Sequence, residues 1–220
     1  MAVSVAIDPA LAGRARLGVL VLEDVTVRER DEALDAEVDA TGAAFRERYG
    51  GGPSGDVPGT ADARVLYKAL GLDPTKTRPS NEALLRRALK GEPLYRISTL
   101  VDALNLCSLR EQLPFGLYDL DEVSPPVVLR LGHPGEGYEG IRKGLVGVEA
   151  RPTLADARGP FGNPTSDSAR TMIRLATRRA LVTCYAPASC TRERVFGVLD
   201  RTRDTLVRLC GGRETHREVL

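Results

Sequence analysis

The chain has 220 residues, of which 42% are hydrophobic and 28% charged, and its formal net charge is +1. A chain of this length suits one well-buried core rather than two, and no apolar run approaches the roughly eighteen residues of a membrane span. The N-terminus, MAVSVAIDPALAGRAR, has no early basic region followed by a long apolar segment. A secretory signal is therefore not predicted, and a cytoplasmic location is expected.

The cysteines and histidines give no metal-binding pattern. The four cysteines occur without CxxC pairs and without histidines at ligand spacing, so neither a metal nor another cofactor is expected. Reduced, buried thiols are predicted instead, since free cysteine is among the most buried residue types. His133 lies in a glycine-rich loop, where exposure to solvent is favoured over a catalytic role.

The first part of the chain is predicted to form two strands followed by three helices. The second strand is rich in Val and Leu, as buried strands are, and the glycine-rich segment 50–55 breaks the first helix. Ser80 or Asn81 is predicted to cap the third helix. The predicted strands are 3–7 and 17–27, and the predicted helices are 28–49, 61–70 and 82–89.

The stretch 95–121, YRISTLVDALNLCSLREQLPFGLYDLD, is predicted to deliver a helix directly into a strand. Its first half places apolar residues three or four positions apart, with Ser98 as the N-cap. Pro114 cannot continue the helix, so 115–120 is predicted to be extended and to enter a turn at Asp121. The apolar pattern does not explain several polar residues at the start of this stretch. They are Arg96, Ser98, Thr99, Asp102 and Asn105.

After this stretch the pattern becomes mainly β. Thr191 is predicted to cap a helix that reaches about Cys210, with a frayed tail behind it. A formal G-x-G-x-x-G begins at Gly135, but no helix can open at its third glycine, so a turn is predicted rather than a dinucleotide site. The predicted strands are 127–131, a pair around 145–154, and 172–176 joined by a tight turn to 180–185.

Three blocks of the sequence resemble one known family. They are RPSNEALLRR at 78–87, RISTLVDALN with LPFGLYDLD at 96–121, and GNPTSDSART at 162–171. In this order and spacing they are similar to the B3/B4 module, the editing domain of the phenylalanyl-tRNA synthetase β subunit, and closer still to its free-standing relatives. The similarity spans roughly residues 17–186. It implies an α+β fold, with a mixed or antiparallel sheet and packed helices, as a single domain over 1–220 whose C-terminal helix, 191–210, packs on the core.

The resemblance also implies a site between the central helix, the strand after Pro114 and the loop near Thr165. In the family this site removes tyrosine wrongly attached to phenylalanine tRNA. Carried over by matching motif, the candidate catalytic residues are Thr99, Asn105 and Ser166. The candidate substrate-binding residues are Arg96, Ser98, Pro114, Gly116, Thr165 and Asp167.

The polar, mostly uncharged character of these residues fits one reaction class. An amino acid joined to the terminal ribose of tRNA is an activated ester, so an enzyme can cleave it largely by holding a water against the carbonyl and donating hydrogen bonds to the oxyanion. The backbone amides beside Gly116 and Gly162 are the expected donors. The sequence has no G-x-S-x-G, HExxH or Walker motif that would favour another hydrolase class.

Three functions stay open at this point. The first is an aminoacyl-tRNA deacylase that acts in trans, binds the aminoacylated 3′ end transiently and clears a mischarged or non-protein amino acid, with an aromatic one among the candidates. The second is a module that binds tRNA or an amino acid without cleaving anything, and the third is an enzyme of specialised metabolism that acts on small aminoacyl substrates. Clustered arginines, such as Arg170, Arg174 and Arg178, fit either solvated faces or a weak, salt-sensitive tRNA contact. The sequence predicts no oligomeric state.

Overall fold

The computed structural model describes residues 3–220 of the chain. Within these residues there are ten strands and five α-helices, and none of the helices is long and apolar enough to cross a membrane. The strands are Val5–Ile7 (β1), Ala15–Glu23 (β2), Phe115–Asp119 (β3), Val127–Leu131 (β4), Gly137–Glu139 (β5), Leu145–Gly147 (β6), Pro152–Asp156 (β7), Gly159–Gly162 (β8), Arg179–Pro187 (β9) and Arg213–Val219 (β10). The helices are Glu32–Tyr49 (α1), Thr60–Ala69 (α2), Ser80–Lys90 (α3), Thr99–Glu111 (α4) and Arg192–Cys210 (α5).

The central sheet has the strand order β10-β2-β9-β3 and is antiparallel throughout. Its two middle strands, β2 and β9, pair along their whole length, from Ala15 opposite Pro187 to Glu23 opposite Arg179. Neighbouring residues of a strand point to opposite faces of a sheet, and here both faces are buried. This double burial explains why β2 is a nearly continuous apolar run instead of an alternating one.

Four helices, α1, α3, α4 and α5, cover one face of the central sheet. The buried cluster on this side includes Leu20, Leu34, Leu85, Leu106, Val182 and Leu199. All four cysteines are buried and free, as predicted. The cap at Thr191 and the end of α5 at Cys210 are confirmed as well, whereas the assignment of the whole chain to one domain stays a prediction.

A second sheet and α2 cover the other face. This sheet has the order β1-β4-β7-β8, with β1 parallel to β4 and the other pairs antiparallel. Leu17 and Leu181 of the central sheet share a buried cluster with Leu129 of β4 and Tyr67 of α2. Helices combined with parallel and antiparallel strand pairs confirm the predicted α+β fold.

The segment 172–176, predicted to be a strand, is irregular. Thr177 accounts for the difference, because its hydroxyl donates to Asp119 Oδ2 at 2.6 Å and accepts from the backbone N–H of Arg174 at 3.0 Å. These two bonds fold the segment into a turn anchored to the end of β3, where it cannot pair as a strand.

Two helix starts differ in detail from the predictions. Neither Ser80 nor Asn81 caps α3, because Ser80 is its first residue and Pro79 occupies the cap position. Ser98 does occupy the cap position of α4, but its hydroxyl makes no capping hydrogen bond. Asp102 reaches back instead, and its carboxylate accepts from the backbone N–H of Ile97 at 2.9 Å.

The tail predicted to be frayed is strand β10, which pairs antiparallel with β2. Its side chains are mostly polar, so the apolar pattern of a strand is missing from the sequence. Ion pairs replace it, since Arg217 contacts Asp200 of α5 and Arg213 contacts Glu23 of β2. An edge strand of this kind needs few buried side chains, and Val219 supplies one.

Replacing Val219 with Asp should destabilise the protein by about 2–4 kcal/mol, because it buries a carboxylate among apolar side chains. Arg213→Ala on the same strand is the matched control and should cost less than about 1 kcal/mol, as exposed ion pairs do. Chemical denaturation measures both. Equal and negligible effects would show that the tail does not form a strand.

Candidate functional site

A hollow of about 470 Å³, here called the central hollow, lies between α3, α4, the free edge of β3 and the loop 163–167. Its lining combines apolar side chains with amide, hydroxyl and carboxyl groups and includes two exposed cations. The apolar lining residues are Ala83, Leu84, Val101, Leu104, Phe115, Leu117, Ile141 and Ile173. The remaining lining residues are Arg78, Ser80, Tyr95, Asn105, Ser108, Lys143, Asn163, Pro164, Thr165, Ser166 and Asp167.

Helical geometry decides which residues of α4 reach the central hollow. Val101, Leu104, Asn105 and Ser108 are spaced by three and four positions and so share one face of the helix. Thr99 precedes Asn105 by six positions, which turns it about 240° around the helix axis. Thr99 is 1% exposed, and its hydroxyl accepts from the backbone N–H of Arg28 at 3.0 Å. Thr99 therefore does not line the central hollow, and its predicted catalytic role stays a prediction.

The edge of β3 presents backbone donors to the central hollow. The backbone N–H of Asp119 donates to the carbonyl of Thr171, on the side away from β9. Residues two apart along a strand direct their N–H groups to the same side, so those of Phe115 and Leu117 also point away from β9. These are the amides beside Gly116 that the sequence suggested as oxyanion donors.

The loop 163–167 is fixed by its own hydrogen bonds. Asn163 Oδ1 accepts from the backbone N–H groups of Thr165 and Ser166 at 2.8 and 2.9 Å. The hydroxyl of Tyr138 donates to the carbonyl of Ser166 at 2.6 Å and accepts from Asn163 Nδ2 at 2.8 Å. The backbone N–H of Asn163, next to Gly162, donates to the same carbonyl at 3.0 Å. The amides of this loop are thus occupied, and its contribution to the central hollow is made by side chains.

Asp167 brings a carboxyl group into the lining of the central hollow. Its Oδ1 atom is buried and has no hydrogen-bond partner among residues 3–220. Burial raises the pKa of Asp167 to about 7, although the Tyr118 hydroxyl, the Leu117 amide and the Lys143 ammonium group act in the opposite direction. Protonated and ionised forms of the carboxyl group therefore coexist at neutral pH.

Two glycines make room for a tyrosine behind the central hollow. A Cβ atom at Gly116 or Gly162 would overlap the hydroxyl of Tyr118, which lies 3.2 Å from the hydroxyl of Tyr185. Burial raises the pKa of both tyrosines, so their hydroxyls stay protonated as hydrogen-bond donors. Gly116, predicted to bind substrate, is thus needed for packing and does not line the central hollow.

The other predicted residues divide into two groups. Asn105, Thr165, Ser166 and Asp167 line the central hollow together, whereas the remaining ones do not. Pro114 is buried, and its carbonyl accepts from the backbone N–H of Tyr185 at 3.0 Å. The roles of all the predicted residues in binding or catalysis stay predictions.

Arg96 and Ser98, which were predicted to bind substrate, lie outside the central hollow. The guanidinium group of Arg96 is held in ion pairs with Asp35 at 2.8 Å and Asp39 at 2.5 Å, both on α1. Ser98 is buried beneath a second, larger depression, and its hydroxyl has no partner among residues 3–220.

That depression, here called the outer groove, measures about 1020 Å³ and shares a wall with the central hollow. The shared residues are Val101, Ile141, Lys143 and Ile173. The other groove residues are Glu29, Arg30, Ile97, Ser98, Glu139, Gly140, Arg142, Gly144, Ala169, Met172, Arg174 and Leu175. Ile97 and Leu175 are 50% and 48% exposed, so the groove offers apolar surface with more cations than anions at its margin.

Most lining residues of the central hollow were not predicted as site residues, and Arg78, Ser80 and Lys143 are polar examples. Arg78 opens one of the blocks that carry the resemblance, so its position was a usable signal. Ser80, whose buried hydroxyl has no partner among the described residues, was assigned only to capping. Lys143 gave no signal, because it follows the glycine-rich segment; its ammonium group donates to Ser166 Oγ at 3.0 Å.

Comparison with known proteins identifies the fold. The family described as B3/4 domain matches residues 62–199. An N-terminal fragment of the phenylalanyl-tRNA synthetase β subunit from Pyrococcus horikoshii superposes with a TM-score of 0.52 at 13% identity, which shows a shared fold alone. The match covers 97% of this chain and 50% of that one, so the chain spans about half its length. None of the curated proteins matches significantly.

The raised pKa of Asp167 predicts that the protein loses stability as pH rises from about 4 to about 7. Over this range the folded state holds a proton that the unfolded state has released, so the free energy of unfolding falls by at most about 1.4 kcal/mol per pH unit from this group. Asp167→Asn should remove this component, and Asp121→Asn, which changes an exposed carboxylate, should keep it. Denaturant titrations between pH 4 and 8 compare the variants, and parallel curves for wild type and Asp167→Asn would contradict the assignment.

Proposed function

This chain belongs to the B3/4 domain family, and from that premise we propose that it is a trans-acting aminoacyl-tRNA deacylase. Its substrate is tRNA that carries a mischarged or non-protein amino acid with a large apolar, in particular aromatic, side chain. The reaction adds water to the aminoacyl ester and releases the amino acid and a free 3′ end.

The observation that supports this proposal is the meeting of segments far apart in the chain around one hollow. Asn105 comes from α4, Leu117 from β3, and Ser166 from the loop after β8. Together they surround about 470 Å³, enough for an aminoacyl group but not for a folded macromolecule. The apolar lining residues suit a large side chain, and the polar ones suit the ester and its attacking water.

Hydrolysis needs little catalytic assistance from the site because the ester is activated. The side chains of Asn105 and Ser166 line the central hollow, and in this proposal they hold a water and the substrate carbonyl. The N–H group of Phe115 is suited to stabilise the oxyanion that forms when water attacks, whereas that of Leu117 already interacts with the Asp167 carboxyl group. Preorganised donors of this kind contribute a large share of catalysis in acyl transfer.

The outer groove supports tRNA as the carrier of the ester. It shares a wall with the central hollow, so a group esterified to the amino acid would lie in it. Its apolar surface suits the faces of unpaired bases, and Arg142, Lys143 and Arg174 suit phosphates. A closed cavity would have favoured a small free ligand instead.

Asn105→Ala and Ser166→Ala should each lower the deacylation rate by about 10- to 1,000-fold, the cost of one positioning or oxyanion contact. The assay follows the release of amino acids from a panel of mischarged tRNAs. Thr99→Ala is the matched control, since Thr99 lies on the same helix but outside the central hollow, and it should keep the wild-type rate. If every ester survives an excess of enzyme while tRNA still binds, the chain is a binding module.

Replacing both Arg142 and Arg174 with Ala should weaken tRNA binding and reduce its salt dependence. Removing one cation from a phosphate of a single strand lowers the slope of log affinity against log salt by about 0.7, so the double variant should show a slope smaller by about 1.4. Arg48→Ala, an exposed arginine of α1 outside the groove, should change neither quantity. Equal effects in both variants would indicate diffuse binding and contradict the groove assignment.

A further inference from the structure

Asp167 is the single carboxyl group among the described residues that line the central hollow. Arg78 and Lys143, which also line it, are cations, and Tyr95 is half exposed near the margin. We propose that Asp167 is the general base of the hydrolysis, and that Tyr118, backed by Tyr185, positions its carboxylate. This inference rests on the proposed ester hydrolysis and adds the group that takes the proton.

The backbone sets the carboxyl group beside the tyrosine pair. Asp167 faces Gly162 in an isolated antiparallel bridge, and the hydroxyl of Tyr118 lies against Gly162. The hydroxyl of Tyr185 follows at 3.2 Å. Two neutral hydroxyls in a row can therefore stabilise the ionised carboxylate, while the buried Oδ1 atom has no hydrogen-bond partner among residues 3–220.

The charged and titratable groups around Asp167 come from four elements. Tyr118 lies on β3, Tyr185 on β9 and Tyr138 on β5, and burial raises the pKa of all three. Lys143, between β5 and β6, is the cation that favours the ionised form of Asp167. Burial outweighs these contributions and brings the pKa of Asp167 to about 7, which is where a base is most effective at neutral pH.

The reaction balances as follows. The Asp167 carboxylate accepts a proton from water while the water oxygen bonds to the ester carbonyl carbon, which leaves a negative charge on the carbonyl oxygen. When that carbonyl re-forms, the bond from carbon to the ribose oxygen breaks. The protonated carboxyl group then gives its proton to the ribose oxygen, so Asp167 returns to its starting state and no other reactant is needed.

The first experiment compares Asp167→Asn with wild type on two substrates, a mischarged tRNA and the methyl ester of the same amino acid. The wild-type kcat/KM should rise with pH through about 7. Asp167→Asn should lower kcat by about 100- to 10,000-fold and should abolish the rise of kcat/KM with pH. KM should change little. Asp167→Glu, which keeps the carboxyl group, should restore part of the rate, and Asp121→Asn, an exposed carboxylate outside both depressions, should match wild type.

The second experiment separates positioning from general support of the fold. Tyr118→Phe removes a hydroxyl that lowers the pKa of Asp167, so the rise of kcat/KM should move to higher pH. A merely structural role would lower the rate at every pH without moving the profile. Tyr49→Phe, on α1, should leave the profile unchanged, and thermal unfolding should show that each variant is folded.

The outcomes test the role of Asp167 as general base separately from the role of tRNA as substrate. If wild type cleaves the tRNA ester and Asp167→Asn keeps the full rate with the same pH profile, Asp167 is not the base, and the deacylase function stands. Cleavage of the methyl ester alone, with the predicted loss in Asp167→Asn, supports the base and removes tRNA as substrate. If wild type cleaves neither ester, both proposals are overturned.

Discussion

The pairing of β2 with β9 is the constraint on which the rest of the structure depends. It joins residues about 160 positions apart in the chain, from Ala15 with Pro187 to Glu23 with Arg179, and both faces of the pair are buried. The four helices can pack only on one face, and the second sheet only on the other. The order of strands then leaves β3 at an edge, so that its free backbone groups and α4 define the place of the central hollow.

Much of the fold could be predicted because its elements follow their local patterns. Strand β4 has the bounds that its apolar run indicates, and α5 begins at its Thr191 cap. Where prediction failed, a tertiary contact decided the structure. The turn at Thr177 depends on Asp119, 58 positions earlier, and β10 depends on ion pairs with β2 and α5. Neither partner can be recognised from the local sequence.

The candidate site was predictable in its segments but less so in its residues. The three blocks that carry the resemblance do meet, yet matching motifs does not tell which way a side chain points. Thr99 and Asn105 share a helix and not a face, and Gly116 is a glycine because Tyr118 occupies the space beside it. Lys143 reaches Ser166 from a hairpin whose sequence carries no family signal.

The hairpin formed by β5 and β6 connects the two depressions mechanically. Tyr138 on β5 is bonded to both Asn163 and Ser166, and Lys143 at the turn contacts Ser166 again. Ile141 of the same hairpin faces both spaces. Under the proposed function, a nucleic-acid strand bound in the outer groove would contact the same hairpin that holds loop 163–167. The length of the chain attached to the amino acid, and not only its terminal group, would then influence turnover.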